Sequence, residues 1–155
     1  MKIGIVVYSW SGNTRSVAER LKDKLVESGH TVELEQVSVV GERERGARQF
    51  TLETLPDVSP YDAVVFGAAV EAFSLSPVLT EYLKKAGSLQ GKRVACLVTQ
   101  QFPYAWLGGN RAIRQMRKLC QAKGATVIGS AIAHWAASRR ERTIAEAVDK
   151  LAGLF

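Results

Sequence analysis

Ile3-Gly4-Ile5-Val6-Val7-Tyr8 runs directly into Ser9-Trp10-Ser11-Gly12-Asn13-Thr14. The first six residues are apolar and rich in β-branched side chains, with no polar alternation, which is how a strand buried on both faces reads. The next six hold three hydroxyls, an amide and a glycine. Beyond them Val17, Ala18, Leu21 and Leu25 share one helical face up to about Ser28, and Gly29 stops the helix. A doubly buried strand, a polar turn and an amphipathic helix in that order point to a parallel sheet covered by helices.

The rest of the chain repeats this alternation. Thr31 to Val37 alternates Val32 and Leu34 with Glu33 and Glu35, so one face meets solvent and the strand is expected at a sheet edge. Asp62 to Gly67 is a second doubly buried strand. Ser76-Pro77 opens a helix with Leu79, Tyr82, Leu83 and Ala86 on its apolar face. Lys92 to Thr99 is a fourth strand, and Gly108-Gly109-Asn110 leads into a helix carrying Ile113, Met116, Leu119 and Cys120. Thr126 to Ala133 is a fifth strand, and a last helix from about Arg140 aligns Ile144, Val148, Leu151 and Phe155. The segment from Ser38 to Pro60 has no clear helical pattern, and a short irregular helix plus loop is expected there. Open parallel sheets bind ligands outside the carboxyl ends of their strands, where the strand order reverses. Ser9–Thr14, Ala68–Ser76 and Thr99–Gly109 are therefore the segments to watch.

At 155 residues the chain is expected to form a single domain, residues 1–155, and can hold a core without disulfides or metal. Two cysteines, Cys96 and Cys120, are too few for a disulfide framework or a zinc site and read as buried thiols. No run approaches a membrane span, and the N-terminal apolar run is too short for a signal peptide, so the expected location is cytoplasmic. His30 and His134 have no visible nucleophile or metal partner and read as structural.

The first turn carries the chemistry. A helix N-terminus offers unpaired N–H groups and partial positive charge, hydroxyls add donors, and Gly12 lets the backbone curl around an anion. Ser, Thr and Asn also serve as plain helix caps, but this density of them in the first strand–helix turn points to a phosphate. The turn is neither GxxxxGK[ST] nor GxGxxG, so a monophosphate fits better than a triphosphate or dinucleotide.

Strand, SxSGNT and helix at the N-terminus resemble the phosphate loop of the flavodoxin family, [ST]-x-[ST]-G-x-T. VVFGAAVEAFSLSPVLTEYL resembles the family's second flavin loop and TQQFPYAWLGGNRAIRQMRKLC its third. The absence of an insertion in the last strand resembles the short-chain members. The resemblance implies a five-stranded parallel sheet in the order 2-1-3-4-5 with helices on both faces. It also implies an FMN cofactor and a role in electron transfer, with no catalytic residue and no metal. By position, Ser9, Trp10, Ser11, Gly12, Asn13 and Thr14 would hold the phosphate, Trp10 through its backbone. Ala69, Val70, Glu71, Ala72 and Phe73 would flank the ring on one side. Thr99, Gln100, Gln101, Phe102, Tyr104, Trp106, Gly108 and Gly109 would flank it on the other. Phe73 and Trp106 are the preferred stacking residues. An NAD(P)H-dependent FMN or quinone reductase on the same fold is the alternative, and a flavin-free interaction module is a third reading.

Two features depart from the family. In the second loop a usual aromatic is Glu71 and a usual glycine is Phe73, so a backbone flip toward reduced flavin would cost roughly 1–2 kcal/mol. The chain is also basic, with net charge +6. Residues 1–60 carry 8 basic and 9 acidic side chains, whereas residues 61–155 carry 13 and 6. Arg111, Arg114, Arg117 and Lys118 lie largely on one helix face. A solvated surface explains such a face; so does a field that steers an acidic redox protein or the phosphates of NAD(P)H. No helix-turn-helix, RNP-type or zinc-finger pattern supports nucleic-acid binding.

Overall fold

The computed structural model describes residues 1–136 and 138–155. The chain opens with β1 (Lys2–Val7) and α1 (Asn13–Glu27). There follow β2 (Thr31–Gln36), the short strands β3 (Ser38–Val39) and β4 (Leu52–Thr54), β5 (Ala63–Glu71), β6 (Ser74–Leu75) and α2 (Pro77–Lys85). It closes with β7 (Arg93–Gln100), α3 (Gly109–Ala122), β8 (Thr126–His134) and α4 (Arg140–Ala152).

The long strands form a parallel sheet in the order β2-β1-β5-β7-β8, which is 2-1-3-4-5 counted over those five. The alternating strand β2 lies at an edge, as its pattern requires. The continuous apolar strands β1, β5 and β7 lie inside, where both faces are covered. One core layer packs α1 and α4 on the sheet through Val17, Leu21, Leu25, Ile144, Val148 and Leu151. The opposite layer packs α2 and α3 through Leu79, Tyr82, Leu83, Ile113 and Met116. Strand order reverses between β1 and β5, so the crevice at their carboxyl ends is the place for a ligand.

Two expectations are corrected. No helix forms between Ser38 and Pro60. β3 and β4 pair antiparallel instead, and Val39, Phe50 and Leu52 pack on the α2–α3 core layer. The stretch has too few apolar residues at helical spacing and is interrupted by Gly41, Gly46 and Pro56, so it covers the sheet as a strap. Tyr82 on α2 ties the strap down by donating to the Pro56 carbonyl at 2.6 Å. The strand expected to end at Gly67 continues to Glu71 as β5, then turns back through Ala72 and Phe73 into β6. Six of the nine residues from Ala68 to Ser76 are therefore strand.

Cys96 on β7 and Cys120 on α3 are both free and fully buried in one core layer. Hydrogen bonding to Cys96 and burial push the Cys120 thiol up, which keeps it protonated and inert. No described helix is long and apolar enough to cross a membrane. No cluster suited to a metal ion occurs among the described residues.

Candidate functional site

The first turn wraps tightly. Gly12 takes φ 91°, a left-handed conformation that glycine adopts at no steric cost, and it caps α1 without a side chain. Ser9 replaces the missing cap: its hydroxyl accepts the Arg15 N–H at 3.2 Å. The N–H groups of Asn13 and Thr14 have no acceptor among the described residues. They point along a helix end whose dipole favours an anion. The Thr14 side chain turns inward, where its hydroxyl and that of Thr99 lie 2.8 Å apart. That buried bond joins the first turn to the end of β7.

The second loop is a two-residue hairpin connection. Ala72 and Phe73 adopt φ 50° and 60°, the pattern of a type I′ turn. The third loop, Gln101 to Gly108, is stapled from below. The Gln100 amide donates to the carbonyls of Phe102 at 2.8 Å and Tyr104 at 2.6 Å, and His134 Nδ1 lies 2.7 Å from the Phe102 carbonyl. Gly108 lets the loops meet: a Cβ there would stand 2.9 Å from the Phe73 backbone. Phe73 and Phe102 lie parallel, with centroids 6.0 Å apart and a 7° tilt. Tyr104 and Trp106 stack separately, 5.9 Å apart. The two preferred stacking residues, Phe73 and Trp106, thus lie in different aromatic pairs, and Trp106 is 73% exposed.

A third wall was not foreseen. Residues 41–47 of the strap reach over the carboxyl ends of β1 and β5. The Arg43 guanidinium meets the Glu71 carboxylate at 2.8 Å, with both side chains 2% exposed. Arg43 also donates to the Tyr8 hydroxyl and the Ala47 carbonyl, and the Gly46 N–H donates to Glu71 at 2.7 Å. The rings of Tyr8 and Phe50 flank the guanidinium at 5.6 and 5.5 Å. Burial alone would push the Glu71 carboxyl up, but the hydrogen bonds from Arg43 and Gly46 hold it below its ordinary value. Trp10 Nε1 donates to the Arg43 carbonyl at 2.7 Å, so the first turn and the strap are joined. A signal for this wall was present: a Glu on the inward face of an apolar strand needs a cation, and GERERGAR supplies three.

The second loop, the end of β7 with the start of the third loop, and the strap enclose a cleft of about 420 Å³ lined by Arg45, Gly46, Val70 to Phe73 and Gln100 to Phe102. That size lies within the ~300–1,000 Å³ of small-molecule sites. The family profile described as Flavodoxin matches residues 5–149. The chain belongs to the flavodoxin family. Flavodoxin 2 from Bacillus cereus is similar at 22% identity and TM-score 0.72, covering 99% of this chain and 97% of that one. The Streptococcus pneumoniae TIGR4 flavodoxin is similar at 17% identity and TM-score 0.69, over 100% of both chains. A flavoprotein from Lactobacillus acidophilus NCFM, solved in complex with FMN, is similar at 19% identity and TM-score 0.63, covering 92% of this chain and 97% of that one. No curated protein is a significant match.

The residues present fit a flavin mononucleotide. The open N–H groups at α1 suit one phosphate, and the cleft at the ends of β5 and β7 suits a flat ring. A ring cannot slide between Phe73 and Phe102 as they stand. That would need about 7 Å between their faces, two contacts of ~3.5 Å each, against centroids only 6.0 Å apart. It must lie against the pair or part it.

Proposed function

We propose that residues 1–155 act as one FMN-binding module that transfers electrons between protein partners. The observation carrying this is the first turn, where a left-handed Gly12 leaves the N–H groups of Asn13 and Thr14 open at the end of β1, on the same side of the sheet as an apolar cleft at the ends of β5 and β7. Bound FMN would accept and release the electrons. Ser9 to Thr14 would hold its phosphate. Ala69 to Phe73 and Thr99 to Gly109 would orient the ring and shield it from water.

The charge names a partner class. Between Glu81 and Glu141 the chain has no Asp or Glu. Arg111, Arg114 and Lys118 are exposed along α3, without an ion pair among the described residues. With exposed Phe102, Tyr104 and Trp106 beside the same helix end, this face suits an acidic redox protein.

The test is direct. Purified protein incubated with FMN and desalted is expected to keep a visible flavin spectrum, and a colourless product rejects the proposal. Anaerobic NADPH alone is expected to leave the bound flavin oxidised. Rapid bleaching supports the NAD(P)H-dependent reductase instead.

A further inference from the structure

The cleft carries one formal charge that nothing balances. Two charged residues line it, Arg45 and Glu71. Glu71 is neutralised by Arg43 at 2.8 Å in a buried pair. Arg45 forms no ion pair among the described residues. Its position is not left to chance, because the backbone is fixed on both sides. Two residues before it, the Arg43 carbonyl accepts the Trp10 indole N–H at 2.7 Å. On the other side the Gly46 N–H donates to Glu71 at 2.7 Å. The Arg45 guanidinium lies over the Trp10 ring of the first turn, 5.8 Å from its centroid, and Arg45 also lines the cleft. Arg45 is itself exposed, and a cation held at the rim of an apolar cleft acts on any charge that develops inside it.

We propose that Arg45 selects the redox state of the bound flavin by favouring the reduced anion over the neutral oxidised ring. This rests on the FMN reading. Two electrons and one proton, supplied by a reductant such as dithionite and by solvent, convert the neutral oxidised ring to a form protonated at N5. The remaining negative charge is spread over the pyrimidine end. Arg45 has no ring charge to meet in the oxidised state and one in the reduced state. Its effect is therefore differential, and the potential of the bound flavin rises accordingly. It is a specificity residue and takes no part in proton or electron transfer.

The experiment measures Kd for oxidised FMN and for dithionite-reduced FMN, with the two-electron midpoint potential, in wild type, Arg45→Gln, Arg45→Lys and Arg48→Gln. Arg48 is exposed like Arg45 and belongs to the same strap but does not line this cleft, so it controls for general surface charge. Arg45→Gln is expected to weaken reduced FMN about tenfold more than oxidised FMN, which lowers the midpoint by about 30 mV. Arg45→Lys is expected to keep most of the preference, and Arg48→Gln to change neither. Equal weakening of both states by Arg45→Gln means that the cation serves the phosphate or the fold, and overturns the proposal. So does an equal shift in Arg48→Gln. Failure of the wild type to take up FMN overturns the parent reading and this one with it, whereas uptake with equal losses overturns this one alone.

Discussion

Two parts of the candidate site are built in opposite ways. The first turn, Ser9 to Thr14, is local: one glycine at positive φ, one hydroxyl cap from Ser9 and a helix end that leaves N–H groups open. The strap, residues 41–47, has no regular structure and is held by contacts made across the fold. Arg43 reaches Glu71, 28 residues away, and Trp10 reaches forward 33 residues to the Arg43 carbonyl. A local wall survives most distant substitutions. A wall hung on one buried ion pair depends on both partners at once, because removing either leaves the other charge buried without compensation.

The sharpest way to break this contrast is Glu71→Gln. It strands the Arg43 guanidinium and is expected to cost about 3–5 kcal/mol in urea unfolding at neutral pH. Replacing both partners, Arg43→Met with Glu71→Leu, is expected to recover much of that loss. The pair also sets the acid response. The folded Glu71 carboxyl lies below its ordinary value, so its stabilisation is fully present above the unfolded-state value of about 4.3. It is lost as pH falls from there through the lowered folded value. Wild type is therefore expected to lose more stability than Glu71→Gln between pH 6 and pH 3. Parallel pH profiles of the two proteins would remove the pair from the account.

Thr14→Val tests the single bond by which the local wall reaches across the sheet. Valine keeps the shape but leaves the Thr99 hydroxyl buried and unpaired, at an expected cost of about 1–3 kcal/mol. If FMN uptake is unaffected, Thr14 contributes its backbone and not its hydroxyl to the phosphate. A matching loss of affinity assigns the hydroxyl a share.

The same contrast explains what could be read from the chain. The five strands, the four long helices and the edge position of β2 follow from hydrophobic period, which is a local property. The shape of the first turn was legible for the same reason, since Ser9 and Gly12 act within a few residues of themselves. Arg43 and Arg45 were not, because their roles depend on where a strap without periodicity comes to rest. A mixed-charge run reads as solvated surface until a buried Glu71 is set beside it. Phe73 and Trp106 were the preferred candidates for stacking on the ring, but sequence does not tell which of four aromatics on two loops will stack on one another. The approach of Gly108 to the Phe73 backbone brings the two loops together, and within them Phe102 pairs with Phe73.

The smallest expected effect comes from the turn between the two walls. Ala72 and Phe73 both sit at positive φ, where a side chain costs roughly 1–2 kcal/mol. Gly12 holds a similar conformation without that cost. Asn is tolerated in the left-handed region and favours the first position of a type I′ turn, and it adds little freedom to the unfolded chain. Ala72→Asn is therefore expected to stabilise the protein by about 0.5–1 kcal/mol, whereas Gly12→Ala is expected to destabilise it by about 1–2 kcal/mol. Phe73→Gly does not belong with Ala72→Asn, because it would relieve strain while removing the stack on Phe102. If Ala72→Asn gains stability and FMN affinity holds, the strain at Ala72 serves no binding purpose. If the gain comes with weaker FMN binding, the left-handed turn at Ala72 helps shape the cleft for the ring.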